Sequence, residues 1–400
     1  MVRRSMNRMN RNQLHDQNLK FVLQQIFNNH PTSRIEISHQ LNLNKSTVSS
    51  LYNTLMADGY LTELGLGEAS NAGGRKPTLI EINRNYGFTL TFDLGYRHLH
   101  ALVTYLNGQV WKYDRIETKG QSIHEMIDQI NHYIAAVQAE DTTSHGLLGI
   151  CFSIHGIVMD NQIKTSPFID MDGIDLEQVF STMYQVPVVL ENEANLSAVY
   201  ERDFNGARDL NSTVTVSIHR GIGAGIILQR ELFRGEHGDA GEIGQTVVSI
   251  EMDDAGAGHP VHAEDISSED AIIQQLEQKK GITNLDRTQL VALYQKQDAD
   301  TLAVLTKFTT AIGGLIYNLM RSLDPDAFFI NSPLVEEIPT LLMQIRTVYQ
   351  NLAHNALTID LTQNARLATV LGGCSLITHR ALGLDHYELN FERPATETTA

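Results

Sequence analysis

The sequence predicts an α/β protein built as a small, mainly helical head followed by a larger body that mixes strands and helices. Residues 18–56 place apolar side chains at helical spacing, and two short strand-like runs follow them. From residue 87 onward, three strand-like runs precede an alternation of helices and strands. The charge divides in the same way, because residues 1–80 carry a net charge of +4 and the others −21. We therefore expect only the head to approach a polyanion. The alternative is that its positive charge belongs to a solvated basic arm that has no partner.

The composition excludes several protein classes. With 400 residues, 42% of them hydrophobic, the chain is long enough for two or three domains with apolar cores. Its two cysteines, Cys151 and Cys374, exclude a disulfide scaffold and a four-cysteine zinc site. No apolar run approaches the ~18 residues of a membrane span, and no apolar segment follows the basic start as in a secretory signal. We therefore expect a cytoplasmic protein without membrane contact.

The head has the pattern of a helix-turn-helix. Residues 18–28 predict a first helix, and the break at 31–33 supplies Ser33 as the N-cap of a second helix over 34–41, with Glu36 three residues later. A short polar turn at 42–44 leads into a third helix, which begins near Lys45 and ends before Gly59. Two helices joined by such a turn form the helix-turn-helix unit.

The face of the third helix and the loop behind it predict DNA binding. Strand-like runs at 60–63 and 78–82 flank a glycine-rich wing that ends in Gly73-Gly74-Arg75-Lys76-Pro77. Glycines beside an Arg-Lys pair suit a narrow minor groove. We expect Ser46, Thr47, Ser49 and Ser50 to contact bases, and Lys45, Arg75 and Lys76 to hold the DNA backbone and groove. The alternative is a helical protein-interaction domain with a loose loop.

The body begins as a meander and continues as alternating strands and helices. Strand-like runs occupy 87–93, 98–105 and 110–116, with an Asn107-Gly108 hairpin turn between the last two. A helix at 122–140 and a strand at 147–154 follow. This order predicts a mixed sheet with helices on both faces.

Polar and glycine-rich turns follow several of the strands. They are Asp93-Leu94-Gly95, Asn192-Glu193-Ala194-Asn195, the run at 219–225 and Glu242-Ile243-Gly244-Gln245. Acids and amides at strand ends are common ligand sites in α/β proteins. A single Gly-x-Gly-x-Gly run, by contrast, is more often a tight turn than a phosphate site.

Taken together, these segments resemble the ROK family, which groups sugar-responsive repressors with sugar kinases. The resemblance covers roughly residues 18–384 and is greatest to the branch of xylose repressors. It rests on Ser46-Thr47-Val48-Ser49, Gly73-Gly74-Arg75-Lys76-Pro77, Glu191-Asn192-Glu193-Ala194-Asn195 and the stretch 218–245. It implies a winged helix-turn-helix followed by a two-lobed actin-like domain, of the sugar kinase-like and ribonuclease H-like type, with a sugar cleft.

The resemblance also implies domain boundaries and sugar-binding residues. The boundaries are a basic arm without fixed structure at 1–15, the winged helix-turn-helix at 16–84, a first lobe at 85–195, a second lobe at 196–385 whose C-terminal helix returns to the first, and a tail at 386–400. The implied sugar-binding residues are Asn192, Glu193, Glu242, Gln245 and Glu264. Gln245 stands where the family usually has a histidine. For Asn192 and Glu242, the alternative role is a helix or strand cap, and Glu264 likewise has a purely structural alternative because the segment around it differs from the family pattern.

Departures from the family pattern favour a repressor over a kinase. Glu193 replaces the catalytic aspartate of ROK kinases, and the extra methylene displaces the carboxylate by roughly an ångström. Tyr96-Arg97-His98 and Asn331-Ser332 replace small residues of the nucleotide loops. In the segment 251–263, His259 and His262 remain, but the family's zinc-binding cysteines are absent.

We therefore predict a repressor that is not an enzyme and carries no zinc or other cofactor. It would bind a pseudo-palindromic double-stranded DNA operator as a homodimer or homotetramer and be released by a sugar, with xylose favoured. One alternative is an active ROK sugar kinase with an appended DNA-binding head. The other is an interaction protein whose helical head binds another protein.

Overall fold

The computed structural model describes residues 11–68, 76–205, 207–253, 256–353 and 357–394. Within these ranges the chain has the predicted α/β architecture, with a winged head and a two-lobed body. Arg75 and the wing tip lie outside the described residues, as do residues 1–10 and 395–400.

The head is a helix-turn-helix whose strands form a small antiparallel sheet in the order β1-β3-β2. The side chain of Ser33 caps α2 by accepting a hydrogen bond from the amide of Glu36, as the spacing predicts. The first helix starts at Arg11, so residues 11–15 are helical and not the unstructured arm predicted. The elements are α1 Arg11–Asn28, β1 Thr32–Ser33, α2 Arg34–Gln40, α3 Lys45–Ala57, β2 Leu61–Leu66 and β3 Thr78–Ile82.

The first lobe is a sheet in the order β10-β7-β4-β5-β6, in which β10, β7 and β4 run parallel. Its first strands and helix lie within one residue of the predictions, and Asn107-Gly108 makes the predicted turn between β5 and β6. A 3₁₀ turn, Arg84–Tyr86, joins this lobe to the head. The elements are β4 Phe88–Leu94, β5 His98–Tyr105, β6 Val110–Glu117, α4 Ile123–Glu140, β7 Leu147–Ile154, β8 Val158–Met159, β9 Gln162–Ile163, α5 Leu176–Tyr184, β10 Val188–Asn192 and α6 Glu193–Phe204.

The second lobe is a sheet in the order β13-β12-β11-β16-β17, with the hairpin β14–β15 beside it. A 3₁₀ turn, Ile243–Gln245, precedes that hairpin. The elements are β11 Thr213–Ile218, β12 Ile222–Leu228, β13 Glu231–Leu232, β14 Val247–Met252, β15 Gly258–His262, α7 Ala263–Ser267, α8 Glu269–Lys280, α9 Arg287–Gln295, α10 Ala299–Leu323, β16 Ala327–Asn331, α11 Pro333–Glu337, α12 Thr340–Ala353, β17 Thr358–Leu361 and α13 Ala365–Leu382.

Helices α6 and α13 lie between the two lobes. α6 packs against β11 and β12 of the second lobe, while α13 packs against α6 and against β4 and β7 of the first. The predicted lobe boundary at 195 therefore falls inside α6. Close packing needs glycine at Gly372, where a Cβ atom would lie 1.9 Å from the carbonyl oxygen of Leu196.

The glycine run at 219–225 is a strand over most of its length, and only its first three residues form a turn. β12 begins at Ile222, so Gly223 and Gly225 are strand residues. A Cβ atom on Gly225 would lie 2.3 Å from the carbonyl oxygen of Ala194 in α6. These two glycines therefore let a helix approach the sheet, which is a packing role.

One helix among the described residues, α10, is long and apolar enough to cross a membrane by length and composition. Its buried residues, such as Val304, Phe308 and Ile312, belong to the hydrophobic core of the second lobe. The helix therefore fills the core of a folded lobe in this structure.

Candidate functional site

The predicted DNA-contacting residues of α3 lie together at its N-terminal end. Val48, Leu51 and Leu55 are buried and fix the helix in the core of the head. The opposite face is at least partly open to solvent. Lys45, Ser46 and Ser50 are exposed there, and Thr47 and Ser49 are half-buried. A helix N-terminus carries partial positive charge and free amide donors, which suit a phosphate.

The wing is held against α3 by a tyrosine. The Tyr52 hydroxyl donates to the carboxylate of Glu63 in β2 over 2.5 Å, and the Arg34 guanidinium lies 4.9 Å from the centre of the Tyr52 ring. Burial and this hydrogen bond raise the pKa of Tyr52 to about 12, so the hydroxyl remains a donor at neutral pH. Lys76 is exposed where β3 begins, at the base of the wing.

Two acids and an amide of the predicted sugar site meet on the second lobe. Gln245 donates its side-chain amide to Glu264, whose other oxygen lies 3.4 Å from the backbone nitrogen of Ile222. Glu242 precedes the 3₁₀ turn that carries Gln245 and makes no capping hydrogen bond. Burial, and then the negative charges of Glu264 and Asp239, raise the pKa of Glu242. Hydroxyl donors from a polyol would stabilise such a poorly compensated carboxylate.

Asn192 lies at the junction of β10 and α6 and caps the helix. Its side-chain oxygen accepts hydrogen bonds from the amides of Ala194, at 2.8 Å, and Asn195, at 3.2 Å. Its side-chain nitrogen donates to the carbonyl oxygen of Gly156 over 2.8 Å. The capping role raised as an alternative is thus present in the structure, and the sugar-binding role of this residue stays a prediction.

Glu193 points into the protein and is surrounded by donors. Its carboxylate accepts hydrogen bonds from Ser217, Ser197 and Thr369 at 2.8–3.2 Å, and the His219 ring lies 3.5 Å away. Burial alone would raise the pKa of Glu193, but the charge and hydrogen bond of His219 outweigh it and lower the pKa to about 2. A carboxylate in this state is a weak proton acceptor.

A second histidine–acid pair lies beside it on the first lobe. Asp93, at the end of β4, accepts hydrogen bonds from Ser153 at 2.7 Å and from His155 at 3.0 Å. Burial opposes the charge on both partners, but their mutual attraction lowers the pKa of Asp93 to about 2 and raises that of His155 to about 9. Neither His155 nor His219 was predicted as a site residue from the sequence, although each directly follows a strand at the edge where ligands bind.

An arginine of the second lobe packs against Tyr96, which belongs to one of the altered nucleotide loops. Arg220, on the second lobe, lies 4.3 Å from the ring centre of Tyr96 and 4.6 Å from that of Phe168, both on the first lobe. It also donates to Asp270 over 2.8 Å. Asn331 occupies the other altered nucleotide loop, where it donates to Ser197 over 2.7 Å.

The residues at the family's zinc position do not fit a zinc ion. His259 and His262 belong to the hairpin β14–β15, where they pair with Asp253 at 3.2 Å and Asp265 at 3.3 Å. Cys151 and Cys374 are buried elsewhere, in β7 and α13 respectively. The described residues contain no group of three or more potential ligands arranged for a metal ion. A structural zinc site takes four such ligands.

Comparison with known proteins agrees with this architecture. The model of the ROK family matches residues 89–379, which is more than half of the chain. The chain belongs to the ROK family. A solved ROK family transcriptional regulator, described as a homologue of the E. coli MLC protein, shares the fold with a TM-score of 0.77. The two are 20% identical, and the match covers 92% of this chain and 98% of the regulator.

Two xylose repressors are more similar to this chain in sequence. The xylose repressor of Lactiplantibacillus pentosus is 52% identical, and the match covers 96% of this chain and 98% of that protein. The xylose repressor of Staphylococcus xylosus is 37% identical over 96% of this chain and 100% of its own length. Both matches extend through the head as well as the body.

Proposed function

We propose that this ROK protein is a sugar-responsive transcriptional repressor of carbohydrate-utilisation genes, with xylose as its favoured effector. The observation that carries the proposal is the 52% identity to a xylose repressor over 96% of the chain, head and body together. A repressor of this kind acts on chromosomal DNA and therefore in the cytoplasm. As a homodimer or homotetramer it would bind a pseudo-palindromic operator.

In this proposal the head binds the operator through α3 and the wing. The hydroxyls of Ser46, Thr47, Ser49 and Ser50 would contact bases in the major groove, and Lys45, Arg75 and Lys76 would contact phosphates and the adjacent minor groove. The hydrogen bond between Tyr52 and Glu63 supports the proposal, since it fixes the recognition helix and the wing in one orientation.

The cleft would bind a sugar through Glu242, Gln245 and Glu264, together with Asn192 and Glu193 at the start of α6. Carboxylate and amide oxygens form paired hydrogen bonds with neighbouring hydroxyls, and closing the cleft removes water from them. The raised pKa of Glu242 supports this assignment, because burial and the neighbouring acids Glu264 and Asp239 leave its charge poorly stabilised. Sugar binding would bring the lobes together and reduce operator affinity.

We further infer that the cleft binds sugar without phosphorylating it. A general base must remove a proton from the attacking hydroxyl, and the hydrogen bonds around Glu193 leave its carboxylate a weak base. Arg220 also occupies the space between Tyr96 and Phe168. Both features weigh against the kinase alternative.

The test is fluorescence anisotropy with DNA from upstream of the gene and of adjacent sugar genes. We expect tight binding that millimolar xylose weakens, while glucose and N-acetylglucosamine serve as comparison sugars. The double variant Arg75→Ala/Lys76→Ala should weaken DNA binding and lower its salt dependence, with sugar binding intact. An absence of DNA binding even at low salt would contradict the proposal and favour the interaction-protein alternative.

A further inference from the structure

The chain ends in a segment that contacts the head and both lobes. Residues 384–393, here named the C-terminal strap, follow α13, and the sequence analysis assigned most of them to a tail. Leu384, Leu389 and Phe391 are buried, and they belong to the same hydrophobic core as Val22 and Ile26 of α1. The strap is therefore a structural element shared by the head and the body.

The strap holds α1 of the head by its backbone. The carbonyl oxygen of Glu388 accepts hydrogen bonds from the side chains of Gln24 and Asn28, both at 2.9 Å. The side-chain oxygen of Asn28 in turn accepts a hydrogen bond from the amide of Asn390 over 2.8 Å. The ring of Phe391 lies 5.0 Å from that of Phe27, in an edge-on arrangement. α1 is thus fixed to the strap by polar and apolar contacts together.

The same strap residue holds the second lobe by its side chain. Both carboxylate oxygens of Glu388 accept from Arg230, which lies in the turn between β12 and β13, with one of these bonds at 3.0 Å. Arg230 also donates to the carbonyl oxygens of Arg208 and Leu210, which precede β11. A two-pronged arginine–carboxylate pair fixes direction as well as distance. A displacement of this turn would therefore displace the strap.

The head has a separate attachment to the first lobe. The ring of Tyr60, before β2, is stacked on Tyr86 at 4.4 Å, and Tyr86 is stacked on His145 of the first lobe at 4.0 Å. The wing side of the head is thereby fixed to the first lobe. The strap ties α1 to the second lobe through Glu388, and it also touches the first lobe where Phe391 packs against Gly108. A relative movement of the lobes would turn the head between these two attachments.

We propose that the C-terminal strap couples the cleft to the head, with Arg230 and Glu388 as its positioning pair. This inference rests on the proposed function, since it assigns a route to the sugar response. Glu388 follows the second lobe with its carboxylate and holds α1 with its carbonyl oxygen. Because α1 and α3 share one core, a shift of α1 changes the position of the recognition helix.

The test compares operator affinity with and without xylose in Glu388→Ala and Arg230→Asn. The first variant keeps the backbone carbonyl, and the second keeps a residue that tolerates the positive φ of +67° at this turn. In the parent protein we expect xylose to weaken operator binding by about 5–150-fold, the usual range of such couplings. In both variants, xylose should weaken operator binding by less than about threefold, and the affinity for xylose itself should be unchanged. The double variant should lose no more of the xylose response than either single variant, because the two residues act as one pair.

Arg346→Ala is the matched control. Like Arg230, Arg346 lies in the second lobe, pairs with a carboxylate, that of Asp360, and donates to a backbone carbonyl, that of Ile359. It should retain the full response to xylose. A full response in Glu388→Ala and Arg230→Asn would overturn the proposal.

A second measurement separates the strap from the proposed function. Hydrogen exchange of the α1 amides in the absence of sugar should become about tenfold faster in Arg230→Asn, because Arg230 reaches α1 through Glu388. If no sugar changes the operator affinity of the parent protein, the proposed function fails. The hydrogen exchange of α1 is then the measurement that tests the strap. Unchanged exchange in α1 would then overturn the proposal, and faster exchange would support its link from the second lobe to α1.

Discussion

Two acids of the predicted sugar site, Glu193 and Glu242, have pKa values that are shifted in opposite directions. Glu193 is buried among hydroxyl donors and an imidazole, and its pKa is lowered to about 2. Glu242 is partly buried next to other carboxylates, and its pKa is raised. The first carboxylate is already stabilised by the protein, whereas the second requires donors from outside. The difference favours Glu242 over Glu193 as the acid that takes up donors from a ligand.

The largest expected effect is on folding. Replacing Glu193 with alanine leaves Ser217, Thr369 and His219 without their shared acceptor, so we expect a loss of about 3–5 kcal/mol in the free energy of unfolding. Urea denaturation measures this loss. Glu193→Gln keeps an acceptor and should lose less. If Glu193→Ala instead unfolds at the same urea concentration as the parent protein, Glu193 does not stabilise the fold and the contrast with Glu242 fails.

The free energy of unfolding should depend on pH because of His155, which pairs with Asp93 beside Glu193. The pKa of His155 is raised to about 9 in the folded state, so the stability it contributes is complete below about pH 6.5 and is lost as the pH rises through 9. The loss is on the order of 3 kcal/mol. Denaturation between pH 6 and 10 should show it, and His155→Gln should flatten the alkaline slope. Equal slopes in both proteins would contradict this assignment.

Removing the open carboxylate should affect binding and not folding. For Glu242→Ala we expect xylose affinity to fall about thirtyfold, or about 2 kcal/mol, because hydrogen bonds to a charged acceptor are lost. Operator binding should persist, and about thirtyfold more xylose should be needed to weaken it. Calorimetry with the sugar measures the first effect and anisotropy the second. Lost operator binding in a folded Glu242→Ala variant would instead place this residue in the DNA-binding machinery.

The smallest expected effect is that of replacing Gln245, the amide of the predicted sugar site. Gln245→Ala frees Glu264 from its side-chain donor, and we expect a loss of about 1 kcal/mol in sugar binding, or roughly fivefold. Gln275→Ala, whose side chain donates to the backbone of Ile266 outside the predicted site, is a suitable control. If Gln245→Ala weakens sugar binding as much as Glu242→Ala, the amide contributes as much as the carboxylate and the expected ranking of the two residues is wrong.

Local patterns in the sequence predicted much of the fold. Ser33 caps α2 and Asn107-Gly108 turns between β5 and β6 because short-range hydrogen bonds and backbone conformation determine both features. The roles of Gly223 and Gly225 could not be found in this way, since they depend on α6, which lies about thirty residues away in the chain.

The site was predicted less completely than the fold. Gln245 and Glu264 do meet, as the resemblance implied, but His155 and His219 gain their importance only from acids brought to them by the tertiary structure. The strap was missed for the same reason. Leu389 and Phe391 show no helical or strand periodicity, and their partners in α1 lie more than 350 residues earlier.

The central claim is that the cleft recognises a sugar and reports it to the head without chemistry. The most direct test measures operator affinity and ATP consumption in one sample of the full chain with xylose, ATP and magnesium. We predict an operator affinity that falls about 5–150-fold with xylose and no ATP consumption above background. Steady ATP turnover that depends on xylose and disappears in Glu193→Gln would contradict the account and establish the kinase.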